Sequence, residues 1–120
     1  ISLSAQQRAV IDLDGNVLVS ACPGSGKTRV LTAKVLHEAS RLSSRHHKVA
    51  ALTFTARAAE EISGRLREAG YLESNVWTGT IHAFAIEWIL RPYACYHSSL
   101  KSGFSLADEF KTKSIIDSLR

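Results

Sequence analysis

Eight residues, A-C-P-G-S-G-K-T at 21–28, join an apolar run to a segment with helical periodicity. They match G-x-x-x-x-G-K-[ST] except that Ala21 replaces the first glycine. Gly24 and Gly26 allow backbone conformations in which successive N–H groups point inward at phosphate oxygens. A helix beginning beside Lys27 would add its positive N-terminal dipole. The octapeptide therefore predicts a strand, a phosphate-binding loop and a helix.

Two side chains of this loop have separate expected tasks. Lys27 would meet the β- and γ-phosphates of a nucleotide as a compact positive charge. The Thr28 hydroxyl would ligate Mg²⁺ bridging the same phosphates, so we predict catalytic roles for both residues and a metal contact for Thr28. The residues expected to surround the nucleotide phosphates are Ala21, Cys22, Pro23, Gly24, Ser25, Gly26, Lys27 and Thr28.

Hydrophobic periodicity predicts further elements around the loop. Apolar residues recur at helical spacing in the segments 4–13, 28–39, 55–70, 81–92 and 108–119. Short apolar runs predict strands at 17–21 and 49–52, and the segment 76–79 is either a short strand or a loop. Strands that alternate with helices predict an α/β fold with a parallel sheet flanked by helices and a βαβ core at 16–70.

Composition narrows the class of protein. A chain of 120 residues with 45% hydrophobic residues can bury one modest core. Its net charge of +4 favours polyanionic partners. No apolar run approaches the roughly 18 residues needed to cross a bilayer, and Cys22 and Cys95 form no C-x-x-C pair. We therefore expect a cytoplasmic protein with reduced thiols, no structural zinc and no membrane partner.

Four segments resemble superfamily 1 DNA helicases of the UvrD/Rep type. They are L-S-A-Q-Q at 3–7, A-C-P-G-S-G-K-T-R-V-L at 21–31, L-T-F-T-A-R-A-A at 52–59 and T-I-H-A-F at 80–84. Their order and spacing are similar to those of the Q motif and motifs I, Ia and Ib. The resemblance implies that residues 1–120 are the truncated N-terminal part of a RecA-like P-loop NTPase domain, with 80–120 beginning an inserted helical subdomain.

The resemblance also implies that the nucleotide is ATP. Gln7 would hydrogen-bond the adenine edge, and Arg29 would lie near the nucleotide. Two structural alternatives stay open. Ser4 and Gln7 have the spacing of a helix capping box, and Arg29 could be an exposed arginine on the helix surface.

Motif Ia carries the prediction of nucleic-acid binding. Thr53 and Phe54 end a strand where ligands usually meet an open α/β sheet, and an aromatic ring there can stack on an unpaired base. Arg57 could meet a phosphate. The alternatives are a core position for Phe54 and a surface pair between Arg57 and Glu61.

Motif Ib adds Thr80 and His82 to the predicted nucleic-acid contacts. Thr80 could also cap the following helix, and His82 could contact a DNA phosphate or sugar from its first turn. A structural role for His82 is the alternative. The chain departs from the family pattern at Ser4 and Ala56, where the family has asparagine, which puts the corresponding polar contacts in question.

The predicted function is that of an ATP-dependent DNA helicase moving 3′ to 5′ on single-stranded DNA, in repair or recombination. Its second motor domain would be a partner of this segment. Asp108-Glu109 lacks the glutamine of the helicase D-E-x-x-Q pattern and is read as a helix N-cap, so we expect negligible ATP hydrolysis by the chain alone. Three alternatives remain: the helicase subunit of a helicase-nuclease, a P-loop kinase and a non-catalytic single-strand-binding module.

Overall fold

The computed structural model describes residues 2–71 and 75–119. They belong to two compact units, Ile1–Phe84 and Ala85–Arg120. The first unit contains α1 (Ala5–Asp12), α2 (Lys27–Ser40), β1 (Val49–Thr53), α3 (Ala56–Glu68), β2 (Val76–Thr80) and α4 (Ile81–Phe84). The second unit contains a π-helical segment (Ala85–Leu90), α5 (Arg91–Tyr93), a 3-10 turn (Ala94–Tyr96) and α6 (Glu109–Ser118).

Strands β1 and β2 are parallel neighbours, paired in register from Val49 opposite Val76 to Thr53 opposite Thr80. Parallel neighbours need a crossover connection, and α3 lies between them in the chain. The segment at 76–79, for which the sequence allows a strand or a loop, lies within strand β2. This combination of helices and a small parallel sheet agrees with the predicted α/β class.

The core of the first unit joins two helices to the sheet. Its buried residues are Val35 and Ala39 of α2, Ala51 of β1, Ile62 and Leu66 of α3, and Val76 of β2. Leu66 is fully buried, with 0% of its surface exposed. Burial of these side chains from both helices holds α2 and α3 against the strands.

The strand predicted at 17–21 is not formed within the described chain. An apolar run predicts burial, but a strand also needs a neighbour that shares its backbone hydrogen bonds. In the described sheet β1 pairs with β2, and Leu18 is 97% exposed. The observed βαβ unit consequently runs from β1 through α3 to β2, and differs from the core expected at 16–70.

The predicted helix ends are largely confirmed. Ser4 and Gln7 form the capping box of α1, and Gly70 follows α3 with a left-handed φ of +76°. Asp108 caps α6 by accepting a 2.7 Å hydrogen bond from the Lys111 N–H. The helix predicted to end at Pro92 instead consists of α4, the π-helical segment and α5, which continues to Tyr93. Within residues 2–71 and 75–119, every helix is too short or too polar to cross a bilayer.

Candidate functional site

The glycine-rich loop enters α2 through two left-handed residues. Gly24 has φ +78° and Gly26 has φ +82°, a region that side chains other than glycine rarely adopt. Gly26 is the N-cap of α2 and contributes no side-chain hydrogen bond to it. The first N–H groups of a helix lack intrahelical partners, so this cap leaves them available to an anion.

Lys27 folds back over the same loop. Its Nζ donates to the Ala21 carbonyl at 3.3 Å and to the Cys22 carbonyl at 3.2 Å. The Ser25 N–H also donates to the Cys22 carbonyl, at 3.2 Å, which closes the turn. Two carbonyls of the loop therefore hold the Lys27 ammonium group against the glycine-rich turn.

Gln7 reaches this loop from α1. Its Oε1 accepts from the Ser4 N–H at 2.9 Å, and its Nε2 donates to the Ser25 carbonyl at 2.9 Å. An uncharged amide has two N–H donors and an oxygen with two lone pairs. One donor and one lone pair thus stay available for the edge of a nucleotide base, so the capping role does not exclude base binding.

Thr28 and Arg29 occupy the first turn of α2. Thr28 is half-buried and Arg29 is exposed. Described residues form no cluster of three or more His, Cys, Asp or Glu side chains that could hold a metal ion. At this loop, the Thr28 hydroxyl has the oxygen chemistry that a magnesium ion prefers in its ligands.

The carboxyl ends of β1 and β2 bring the two threonines predicted to contact nucleic acid together. Thr53 lies opposite Thr80. The Thr53 hydroxyl donates to the Thr55 carbonyl at 2.8 Å and more weakly to the Gly79 carbonyl at 3.4 Å. The Thr80 hydroxyl accepts from the Ala83 N–H at 3.1 Å, which confirms its predicted cap of α4. Both hydroxyls therefore help to fix the loops at this edge.

Three larger side chains near these strand ends are exposed. Phe54 directly follows β1 and is 85% exposed, so its interpretation as a core residue is wrong. Arg57 in α3 and His82 in α4 are exposed as well. The Glu61 carboxylate pairs with Arg65 at 3.1 Å, and the alternative pair with Arg57 is not formed. An aromatic ring, a guanidinium group and an imidazole thus remain accessible to a ligand.

Sequence reasoning missed the part that Trp77 plays beside this surface. The indole ring lies over Gly79, where an added Cβ would come within 2.5 Å of it. Trp77 also meets Phe84 edge-on, with ring centroids 5.6 Å apart. The W-x-G spacing in β2 was the available signal, because residues two apart in a strand lie on the same face. These contacts support the junction between β2 and α4, which carries His82.

Residues 3–120 match the family model of the UvrD/REP helicase N-terminal domain. The chain is 39% identical to ATP-dependent DNA helicase Rep of Salmonella typhimurium over 106 residues, 87% of this chain and 15% of that protein. It is 33% identical to ATP-dependent DNA helicase PcrA of Staphylococcus epidermidis over 114 residues, 94% of this chain and 15% of that protein.

A third relative has a different name. The chain is 40% identical to Gabija protein GajB of Bacillus cereus over 84 residues, 70% of this chain and 16% of that protein. The chain thus spans 15% to 16% of the length of these three curated relatives. Since the family model matches almost every residue, the chain belongs to the UvrD/REP helicase N-terminal domain family.

Proposed function

We propose that this chain is the ATP-binding, P-loop part of an ATP-dependent DNA helicase. The observation that carries the proposal is the arrangement of left-handed Gly24 and Gly26 with the Lys27 ammonium folded against their loop. Lys27 and the first N–H groups of α2 would hold the β- and γ-phosphates. Thr28 would ligate Mg²⁺, which neutralises the charge that develops on the phosphates during transfer.

The nucleotide base would lie against Gln7, with Arg29 close to the same ligand. Adenine presents an N6–H donor and an N7 acceptor on one edge, whereas guanine presents two acceptors there. The free donor and lone pair of the Gln7 amide complement the adenine edge. This match favours ATP over GTP as the bound nucleotide.

Single-stranded DNA would cross the carboxyl ends of β1 and β2. Phe54 would stack on a base, while Arg57 and His82 would contact the backbone, with Thr53 and Thr80 fixing the loops that present them. The family match over residues 3–120 favours this function over a P-loop kinase, and Phe54 and His82 are exposed, as contact with a DNA strand requires. Stacking tolerates any base, as movement along arbitrary sequence requires.

The remaining part of the proposal rests on the family. The full-length protein would translocate 3′ to 5′ in repair or recombination, with a second motor domain closing on the nucleotide. Asp108 is engaged in capping α6, which agrees with its reading as a helix cap and not as a magnesium-holding acid. We therefore expect the chain alone to bind ATP and to hydrolyse it negligibly.

Titration with a fluorescent ATP analogue, mant-ATP, tests the nucleotide assignment. Lys27→Ala should weaken binding by about 10-fold or more, because a charge-assisted contact with phosphate is lost. Lys101→Ala removes the same charge from an exposed position in the second unit and should leave the affinity unchanged. Binding that survives Lys27→Ala would refute the proposed phosphate site.

A further inference from the structure

A lysine of α2 forms hydrogen bonds with the carboxyl end of α1. Lys34 Nζ donates to the Ile11 carbonyl at 2.8 Å and to the Leu13 carbonyl at 2.5 Å. It also pairs with Glu38 Oε1 at 2.9 Å, one turn further along α2. An ammonium group has three donors, and these three partners can occupy all of them.

The helix end explains why a cation stabilises this contact. The last carbonyls of a helix lack N–H partners within it and carry partial negative charge. Lys34 supplies both hydrogen bonds and positive charge to the end of α1. A second link lies close by, where Arg41 pairs with Asp14 at 2.5 Å.

The charges around this contact already satisfy one another. The hydrogen bond from Arg41 holds the pKa of Asp14 below its ordinary value, and the hydrogen bond from Lys34 lowers the pKa of Glu38. An adjoining surface cleft of about 410 Å³ is lined by Asp14, Gly15, Lys34, Glu38, Arg41 and Leu42. The four charged side chains that line the cleft thus form two ion pairs, Lys34 with Glu38 and Arg41 with Asp14.

The same short helix carries Gln7 at its other end. Gln7 and Ile11 are four residues apart, a rise of about 6 Å along the axis. A helix held at Ile11 and Leu13 can neither slide nor turn freely at Gln7. Hydrogen bonds weaken steeply with misalignment. The base edge that the Gln7 amide faces therefore depends on the contacts that Lys34 makes with Ile11 and Leu13.

We propose that Lys34 is a positioning residue for base selection, which acts by holding α1 so that the Gln7 amide faces adenine in preference to guanine. The inference rests on the proposed function, since it assumes that a nucleotide occupies the loop. Lys34 itself contacts helix carbonyls and Glu38, not the loop.

The ratio of mant-GTP to mant-ATP dissociation constants tests this role, because a general loss of stability would weaken both nucleotides together. Lys34→Met should lower the ratio about 3- to 10-fold, the effect of losing roughly one well-aligned hydrogen bond. Lys34→Arg should keep most of the wild-type ratio. In a Gln7→Ala background, Lys34→Met should change the ratio less than about 2-fold, because the residue through which it acts is gone.

Two matched controls separate positioning from surface charge. Glu38→Gln removes the ion pair but keeps the bonds from Lys34 to α1, and Arg65→Met removes a comparable exposed i,i+4 pair on α3. Both should leave the ratio unchanged. Arg41→Met removes only the link to Asp14 and should lower the ratio of dissociation constants slightly. This variant is the milder test if Lys34→Met fails to fold.

A ratio unchanged in Lys34→Met and Arg41→Met, with binding still dependent on Lys27, would overturn this inference and leave the proposed function standing. So would an equal loss of affinity for both nucleotides, or an effect that persists undiminished in Gln7→Ala. If the Lys27→Ala variant bound mant-ATP as tightly as the wild type does, the proposed function would be refuted, and this inference with it.

Discussion

The side-chain amide of Gln7 donates a 2.9 Å hydrogen bond to the backbone carbonyl of Ser25, across 18 residues of chain. This bond connects the first helix to the glycine-rich loop. Gln7→Glu keeps the oxygen that caps α1 but replaces the donor with a carboxylate oxygen that repels the carbonyl. We expect affinity for mant-ATP to fall about 10-fold, while α1 stays capped.

Gln6→Glu is the control for this change, because Gln6 is the exposed neighbour of Gln7 in the same helix. It introduces the same charge without touching the loop. Thermal unfolding followed alongside the titration should show similar midpoints for the two variants. Equal affinity in Gln7→Glu and Gln6→Glu would contradict the proposed link.

Gly26→Ala should impair both stability and nucleotide binding. Its φ of +82° is strained for alanine, and the new Cβ would come within 3.2 Å of Gln7 Nε2. We expect a loss of about 1–2 kcal/mol in the free energy of unfolding, measured with urea, together with weaker mant-ATP binding. Gly15→Ala has nearly the same φ, +81°, with nothing within 4 Å of its Cβ, and should lose stability alone.

Phe54→Ala should weaken binding to a single-stranded oligothymidylate, measured by fluorescence anisotropy. Loss of one stacked base corresponds to about 1–3 kcal/mol, or roughly 5- to 150-fold in affinity. Phe110 in α6 is 84% exposed against 85% for Phe54, so Phe110→Ala removes an equally exposed ring from the second unit. If both variants bind as the wild type does, the strand ends are not the DNA surface.

Leu66→Ala should cost about 2–5 kcal/mol in the free energy of unfolding, because it opens a cavity between α3 and the sheet. Leu106 is 67% exposed, and Leu106→Ala should change the stability by less than about 0.5 kcal/mol. Urea denaturation measures both. A small effect at Leu66 would mean that α3 does not form the centre of the core.

The pair of Asp14 and Arg41 should make part of the stability depend on pH. Arg41 lowers the pKa of Asp14 below its ordinary value of 3.8, so the folded chain binds this proton less readily than the unfolded chain. The stabilising effect is therefore present above the unfolded pKa and disappears as pH falls through the lowered folded value. Asp14→Asn should melt below the wild type at pH 7, and the difference should vanish in strong acid.

Asp12→Asn provides the comparison for this pH series, since Asp12 is another exposed carboxylate at the end of α1. At pH 7 the melting temperature of Asp12→Asn should differ less from that of the wild type than the melting temperature of Asp14→Asn does. The assigned pair would be contradicted if the difference in melting temperature between Asp14→Asn and the wild type stayed constant from neutral pH into strong acid.

Local sequence patterns predicted the helices well and the sheet only in part. The capping box of α1 and the left-handed Gly70 are formed by neighbouring residues, so their spacing reveals them. The segment at 17–21 shows the limit of this reasoning. Its apolar residues indicate a strand, but pairing depends on another part of a chain, which local composition cannot report.

In the candidate site, too, the local features could be predicted from the sequence and the long-range contacts could not. The loop from 21 to 28 is contiguous, and its glycine positions predicted the backbone that is observed. The bonds from Gln7 to Ser25 and from Lys34 to Ile11 cross 18 and 23 residues. Such contacts arise only when the helices pack, and the spacing of Lys34 to Glu38 alone indicates no more than a surface pair.

The indole of Trp77, resting on Gly79 and against Phe84, gives the chain an optical reporter of its own. Tryptophan emission depends on the polarity around the ring, and this ring lies five residues before His82 in the sequence. The other tryptophan, Trp88, belongs to the second unit. A Trp88→Phe chain would therefore emit from one place, and its spectrum would register any rearrangement of the β2–α4 junction without an attached dye.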